Sequence, residues 1–533
     1  MKRIPTIPVV VALVLAACGG APTTSPGASG APPAAEDISL VVPVRAEAKS
    51  LNPDWQNDSG GYWANGNIYS RLVILDWGSV TGTVAYGDLA ESWEGNEDGT
   101  SYTFHLRDGV TWHDGEPFTS ADVVYTFETI VEKEYPLKQY LAGAEITAPD
   151  DLTVQVDFAE PNVAFVPLLA QASNWYGAIL PKHIYEGTDW STNPANEEPI
   201  GTGPFKFASW DKGTQISLDA NPDYFQGAPE IDRLTFQFVA DAQVAQAGFD
   251  AGEFPYLTND YVTNFPQLAG LAEGDDPIVV ETPSLYDRSL MFNLSNEFLA
   301  NPLVRQAIAY GIDREAMNQT AFAGLWEPTY NAGISSVSDF LNADAVFPQH
   351  DLERAKELLD EAGYPEGPDG TRFALSVTNY PVADSNLIAE VAVQQLKAIG
   401  IDATWEQYDL PTWLDKLKAG DFDITSYFVR YGPDPAAYGE HFGVDGPRNF
   451  MGYENDRVEE LLAEGRVTTD VEARKDIYGQ VQEQLIEDVP YLPLFTEHKF
   501  SLVHAGWTGF AVMEDGYNKS MGWFGFYAAH KTN

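Results

Sequence analysis

Apolar residues along this chain recur with two periods, and the switches between them mark out its elements. From Asp37 to Pro53 the run DISLVVPVRAEAKSLNP predicts a short strand entering a loop. Residues 63–77, WANGNIYSRLVILDW, place apolar side chains at helical spacing before a turn at Gly78. Alternation from Tyr102 to Leu106 and from Val110 to Trp112, joined by Arg107-Asp108-Gly109, predicts a hairpin. Thr119-Ser120-Ala121-Asp122 then has the form of a cap for a helix carrying Val123, Val124, Tyr125 and Phe127. GTGPFKF from Gly201 leads into strands that include Gln215 to Leu218 and Leu234 to Phe238.

Beyond Tyr286 the pattern becomes strand then helix, with Pro302 near the first helical turn. Helical periodicity returns in Asp351 to Glu361, Ser385 to Ile399, Leu410 to Lys418, Asp456 to Glu464 and Val471 to Glu487. Strands are expected between them at Ala374 to Thr378, Asp402 to Gln407 and Phe422 to Tyr427. Alternating strands and helices predict an α/β lobe, and no short internal repeat is present.

The first residues, MKRIPTIPVVVALVLAACGG, combine a basic start with an apolar core too short for a permanent span. They are expected to be a signal ending at Cys18, and Leu15-Ala16-Ala17-Cys18 resembles the bacterial lipobox, whose cysteine is lipidated. Cys18 is the only cysteine of 533 residues, which excludes an intrachain disulfide and suits acylation. Residues 19–35 contain only Gly, Ala, Pro, Ser and Thr, the composition of a flexible tether. The remainder has no apolar run long enough to span a bilayer and is expected outside the cytoplasm.

Some 500 residues of folded chain exceed one ordinary core. Lys plus Arg number 30 against 79 Asp plus Glu, a formal net charge of −49, which argues against nucleic acid and anionic lipid as partners. Aromatics make up 13%, more than packing alone asks for and suited to enclosing a small ligand.

Catalytic signatures are absent: no Gly-x-Ser-x-Gly elbow, no His-Glu-x-x-His, no phosphate loop and no dinucleotide glycine fingerprint. No two of the eight histidines stand at i,i+4, and His498 with His504, the closest late pair, is expected to be ordinary surface or core histidines rather than a metal site. No cofactor and no metal are expected. Binding without turnover ranks above a secreted hydrolase.

Several ordered blocks resemble the family 5 solute-binding proteins of ABC importers, which include oligopeptide-, dipeptide- and nickel-binding proteins. They are LAESWEGNEDGTSYTFHLRDGVTWHDGEPFTSADVVYTFE from Leu89, GTGPFKFASW at Gly201, ANPDYFQGAPEID at Ala220, NPLVRQAIAYGIDREA from Asn301, RAKELLDEAGY at Arg354, GYENDRVEELLAE at Gly452 and DVPYLPLF at Asp488. The resemblance implies an α/β, two-lobed periplasmic-binding-protein-like fold (type II, cluster C) with an extra subdomain in the first lobe. Lobe 1 would take residues 36–285 plus 491–533, with the subdomain at about 63–197, and lobe 2 residues 286–490. The chain would cross between them near Ser284 to Arg288 and near Val489 to Pro493, forming a hinge. Glycines 95, 99, 109 and 115 would serve turns, and Trp93 and Trp112 packing.

The implied role is capture of a ligand, a peptide first and otherwise an oligosaccharide or anionic metabolite, by a monomer. It would be held at the extracytoplasmic face of the membrane through Cys18 and would deliver its cargo to ABC permease subunits. In peptide-binding relatives the loop after the strand ending here at SYFVRYGPDP carries an acid that receives the peptide's α-ammonium group. Here Arg430 takes that slot if Gly432 is an insertion, and Tyr431 takes it otherwise; neither is negative. Arg430 could equally pair with a surface acid. The expected ligand contacts are Arg430, Tyr427, Tyr431 and Asp434 in this region, Trp63 and Asn67 at the first lobe's cleft edge, and Tyr286 and Arg288 at the hinge.

Overall fold

The computed structural model describes residues 37–55, 60–75, 85–172, 176–271, 274, 276–334, 338–430, 434–510 and 525–532, with the backbone alone for 75, 85, 86, 171, 172, 282–286 and 430. Cys18, the signal segment, the tether and Tyr431 lie outside these residues, as do the side chains of Tyr286 and Arg430.

Two apolar clusters organise the chain. The first gathers Leu40, Trp63, Phe104, Leu169 and Phe236, then resumes near the C-terminus with Val503, Trp507, Phe510 and Phe526. The second takes in Val239 to Leu268 and then Leu290 to Leu502, with Phe292, Ile308, Val377, Ile424 and Tyr478 in it.

Three sheets carry these clusters. Ser39–Val44 pairs in parallel with Arg233–Phe238, and Gln215–Ala220 and Phe205–Asp211 follow antiparallel. A second four-stranded sheet runs in the order Ala90–Gly95, Ser101–Leu106, Thr153–Asp157 and Glu145–Asp150. The seven-stranded sheet has the order Tyr256–Leu257, Tyr491–Val503, Ile278–Phe292, Ile424–Arg430, Phe373–Asn379 and Ile401–Gln407, with Glu327–Pro328 beside Tyr491–Val503.

Its two long strands are the backbone of the molecule. Ile278–Phe292 and Tyr491–Val503 run antiparallel from Ile278↔Val503 to Met291↔Tyr491, with register shifts between Pro283 and Asp287 and between Arg288 and Ser289. Such bulges bend a strand and strengthen its twist. The entry to the second strand is fixed by the buried Arg305, whose guanidinium donates to the carbonyls of Asp488 and Val489 at 3.0 Å. That satisfies acceptors left open where helix Val471–Asp488 ends.

Most periodic segments form the elements they predict, among them helices Leu352–Glu361, Ala383–Ala398, Leu410–Ala419 and Asp456–Val467. Asn301 caps Pro302–Gly311 with proline in its first turn, and Thr119 N–H donates to Asp122 at 2.9 Å at the head of Ser120–Glu132. Three expectations fail. The helix predicted over 63–77 is Gly61–Ile68, and Val73–Leu75 is a strand paired with Ala85–Gly87. Ser101–Leu106 pairs with Ala90–Gly95 and Thr153–Asp157, not with 110–112. Residues 110–118 instead close on themselves, Trp112 N–H to the Glu116 carbonyl at 2.8 Å and Phe118 N–H to the Val110 carbonyl at 3.0 Å. Gly95 lies in a strand and is needed for close approach: a Cβ there would stand 2.9 Å from the Tyr102 ring.

Candidate functional site

Phe373–Asn379 runs parallel to both Ile401–Gln407 and Ile424–Arg430, so these strands end at one edge of the large sheet. The antiparallel Ile278–Phe292 brings Tyr286 to the same edge, where its backbone pairs with Arg430. Helix Ala383–Ala398 starts there and carries Asp384 in its first turn. The carboxyl ends of strands in an open α/β sheet are where ligands bind.

This edge carries a network of buried charge. Glu497 and Lys499 alternate on Tyr491–Val503 and so share a face. Arg288 Nη2 donates to Glu497 Oε1 at 2.6 Å and also to Asp384, while Lys499 Nζ donates to the same Glu497 oxygen at 2.7 Å. Burial pushes the Glu497 carboxyl up, but Arg288 and Lys499 outweigh it and hold the group well below the usual carboxylate range. Burial likewise opposes charge on Arg288, and Asp384 and Glu497 overcome it, raising the guanidinium's pKa. Two buried nitrogens of Arg288, Nε and Nη1, have no hydrogen-bond partner among the described residues.

The network continues into the other apolar cluster. Asp260 lies within the field of Lys499 and of Arg45, the residue after Ser39–Val44, and the Trp63 indole hydrogen-bonds it; burial nevertheless raises its pKa. Trp63 is 1% exposed, on helix Gly61–Ile68, with its ring 6.2 Å from Phe526. Asn67 on the same helix donates to the Trp63 carbonyl at 2.8 Å and accepts from Phe526 N–H at 2.9 Å, tying the helix to the C-terminal segment.

Tyr427 lies buried on the neighbouring strand, paired with Ser289. Its ring stands 5.8 Å from Trp413 and 6.1 Å from Phe450, and Arg448 hydrogen-bonds its hydroxyl. Arg448 Nε lies 3.4 Å from Glu440 Oε2, and Tyr140 OH donates to Glu440 Oε1 at 2.9 Å. Beyond them opens a cleft of about 910 Å³, walled on one side by residues from Gln139 to Leu168 and on the other by residues from Ala436 to Val467.

Of the residues expected from sequence, Arg288, Tyr427 and the backbones of Tyr286 and Arg430 meet at one edge, and Trp63 joins them through Asp260. Asp434 is engaged elsewhere: both its oxygens take the Arg474 guanidinium, at 2.8 and 2.6 Å, in the protein interior. Asn67 makes structural bonds. Asp384, Glu497, Lys499, Asp260 and Arg45 escaped sequence reasoning. The only local signal was the alternation of Glu497 and Lys499 on a strand flanked by apolar residues. Among the described residues no group of three or more His, Cys, Asp or Glu could hold a metal ion.

Comparison with known proteins places this geometry. The chain is 27% identical to the glutathione-binding protein GsiB of Pectobacterium atrosepticum over 505 residues, covering 89% of this chain and 92% of GsiB. It is 28% identical to the oligopeptide-binding protein AppA of Bacillus subtilis over 524 residues, 91% of each. The structure of that AppA in complex with a nonapeptide superposes with a TM-score of 0.76 at 24% identity, covering 93% of this chain and all of AppA. The substrate-binding protein CtaP of Listeria monocytogenes superposes with a TM-score of 0.81 at 24% identity, with 93% and 100% covered. These likenesses give a mixed α/β, two-lobed binding-protein fold. Residues 85–449 match the family described as bacterial extracellular solute-binding proteins, family 5 Middle. With most of its length matched and relatives that bind solutes for ABC transporters, the chain belongs to the family 5 extracellular solute-binding proteins of ABC importers.

Proposed function

We propose that the protein captures a peptide between its lobes and presents it to ABC permease subunits, as a monomer held at the extracytoplasmic face of the membrane through lipidated Cys18. The lobes in this reading are 36–285 with 491–533, and 286–490, and the ligand contacts are Arg430, Tyr427, Tyr431, Trp63, Tyr286 and Arg288. The relatives support a peptide: GsiB is named for glutathione and AppA for oligopeptides. No helix of the described residues is long and apolar enough to cross a membrane, which is consistent with anchoring by lipid.

The observation that carries the reading is the network from Arg45, Trp63 and Asp260 through Lys499 and Glu497 to Arg288 and Asp384, laid along the strands that link the two apolar clusters. Charges arranged in this way offer a ligand's termini both signs at the junction. A ligand that touches both sides binds best when they close, and its differential affinity sets the closed population.

One observation favours a second reading. Asp434, the acid nearest the loop position that takes the α-ammonium in peptide-binding relatives, is already paired with Arg474. A blocked or acidic peptide, an oligosaccharide or an anionic metabolite needs no such acid. The test is to express the chain from Ala35 onward, release what co-purifies in mild denaturant and identify it by mass spectrometry. Free peptides are expected. Sugars, blocked or acidic peptides, or another anion transfer the case to the second reading. An empty protein that binds neither glutathione nor a nonapeptide in calorimetry overturns the peptide reading.

A further inference from the structure

The geometry points to Glu440 as a closure latch: a positioning residue that joins the two lobes and whose aim is set from the ligand side through Arg448 and Tyr427. The inference rests on the two-lobed capture reading above. Helix Tyr438–Phe442 buries Tyr438, His441 and Phe442 in the second apolar cluster or its surroundings, which leaves Glu440 on the opposite side of this short helix. Helix Lys138–Leu141 buries Leu141 in the first cluster and packs Tyr140, half-buried, against it. The hydrogen bond of 2.9 Å from Tyr140 OH to Glu440 Oε1 therefore spans residues 300 apart in sequence that belong to different cores.

The partners of Glu440 explain why a carboxylate suits this position. Its second oxygen faces Arg448 Nε at 3.4 Å, and Arg448 N–H donates to the Glu440 carbonyl at 2.9 Å, so Arg448 is held to Glu440 by backbone and side chain together. The same guanidinium reaches the hydroxyl of Tyr427, next along the strand from Phe428 and three residues before Arg430. When the lobes part, Glu440 keeps its cation and loses only the tyrosine, so opening leaves no buried charge unpaired. An ionised acceptor also makes a shorter and stronger bond than a neutral one. The side chain of Glu440 is 18% exposed, so the bond forms in a partly dry seam where it counts for more than it would in water. A ligand that shifts Tyr427 moves Arg448, and Arg448 aims Glu440.

The latch biases the lobe equilibrium whether or not a ligand is bound, which makes it measurable without knowing the ligand. Single-molecule energy transfer on the full chain, with Cys18→Ser and dyes on cysteines replacing the exposed Glu132 and Glu472, counts closed and open molecules directly. Tyr140→Phe keeps the ring and deletes the bond; the closed-to-open ratio should fall about three- to tenfold. Glu440→Ala should lower it similarly, and the two together should do no more than either alone, the mark of a shared interaction. A wild type that opens and closes with the same ratio as Tyr140→Phe overturns the latch and leaves ligand capture standing. Additive losses in the double variant also overturn it. One unchanging conformation in every variant overturns the latch together with the closing reading beneath it.

Discussion

Four buried carboxyls in this molecule form a graded series, and the contrast between its ends separates structural burial from functional charge. Asp287, in the bulged part of Ile278–Phe292, is 3% exposed and has no cation beside it among the described residues; burial pushes it up to about 8, helped by Glu327 and opposed by the Thr496 hydroxyl at 3.2 Å. Asp54 has Arg71 at a distance and accepts Gly177 N–H at 2.5 Å; burial still raises it to about 7. Asp88 adds Arg107 to Arg71 and the Arg71 N–H at 2.7 Å, and stops at about 6. Glu497, equally buried, touches two cations directly and is held well below the usual range. Dehydration is paid in all four places, and only direct contact with cations reverses its sign. The site at the strand ends is where this chain, short of cations, concentrates them.

The largest effect should come from breaking the strongly compensated end. Arg288→Met takes the guanidinium from Asp384 and leaves Glu497 with Lys499 alone, and should cost about 3–5 kcal/mol in denaturant unfolding. It should also flatten the acid limb of the stability profile. Glu497 is depressed below its ordinary 4.5, so its contribution is present above that value and fades as pH falls through the folded-state pKa.

Asp287 tests the opposite end with the opposite sign. Its folded pKa lies above the unfolded 3.8, so its contribution is complete below that value and is lost as pH rises through about 8. Asp287→Asn should remove a slope of about 1.4 kcal/mol per pH unit, so that the variant gains on the wild type by on the order of 2–3 kcal/mol between about pH 5 and about pH 7. Urea midpoints across that range decide it, and parallel profiles would mean the carboxyl ionises freely.

Arg430→Asp sharpens the ligand side. If Arg430 meets the ligand, affinity for the co-purified ligand should change at least about tenfold, roughly 1.4 kcal/mol by titration calorimetry; unchanged affinity removes it from the site. The smallest effect belongs to exposed pairs. Lys416 and Asp421 stand 2.6 Å apart, yet Lys416→Ala should leave the unfolding midpoint where it is, because water screens such a pair.

Legibility in the sequence follows the range of the interactions. Helices such as Leu352–Glu361 and Asp456–Val467 announce themselves because their period and caps are local. The pairing of Ser101–Leu106 with Ala90–Gly95 was hidden because 110–112 offers an equally good alternation nearby, and only the closed turn from Val110 to Phe118 rules it out. The site divides in the same way. Arg288 and Tyr427 could be named from their places near a hinge and a strand end. Asp384, Asp260 and Glu497 could not, because among 79 acids no local feature marks the three that topology brings beside Arg288 and Lys499.

The bond from Phe526 N–H to Asn67 joins positions 459 residues apart, and Val503, Trp507, Phe510 and Ala529 complete the cluster that Leu40 begins. The second cluster, by contrast, draws its buried residues from one span, Val239 to Leu502, in which Tyr256 goes to the first. For a chain made from its N-terminus the nested body can consolidate while the enclosing one still waits for its final strip. Closing so large a loop slows folding more than it weakens the product. The half of the molecule that is synthesised first is therefore the half that matures last, exposing unfinished apolar surface for the whole interval and leaning hardest on whatever holds nascent chains apart.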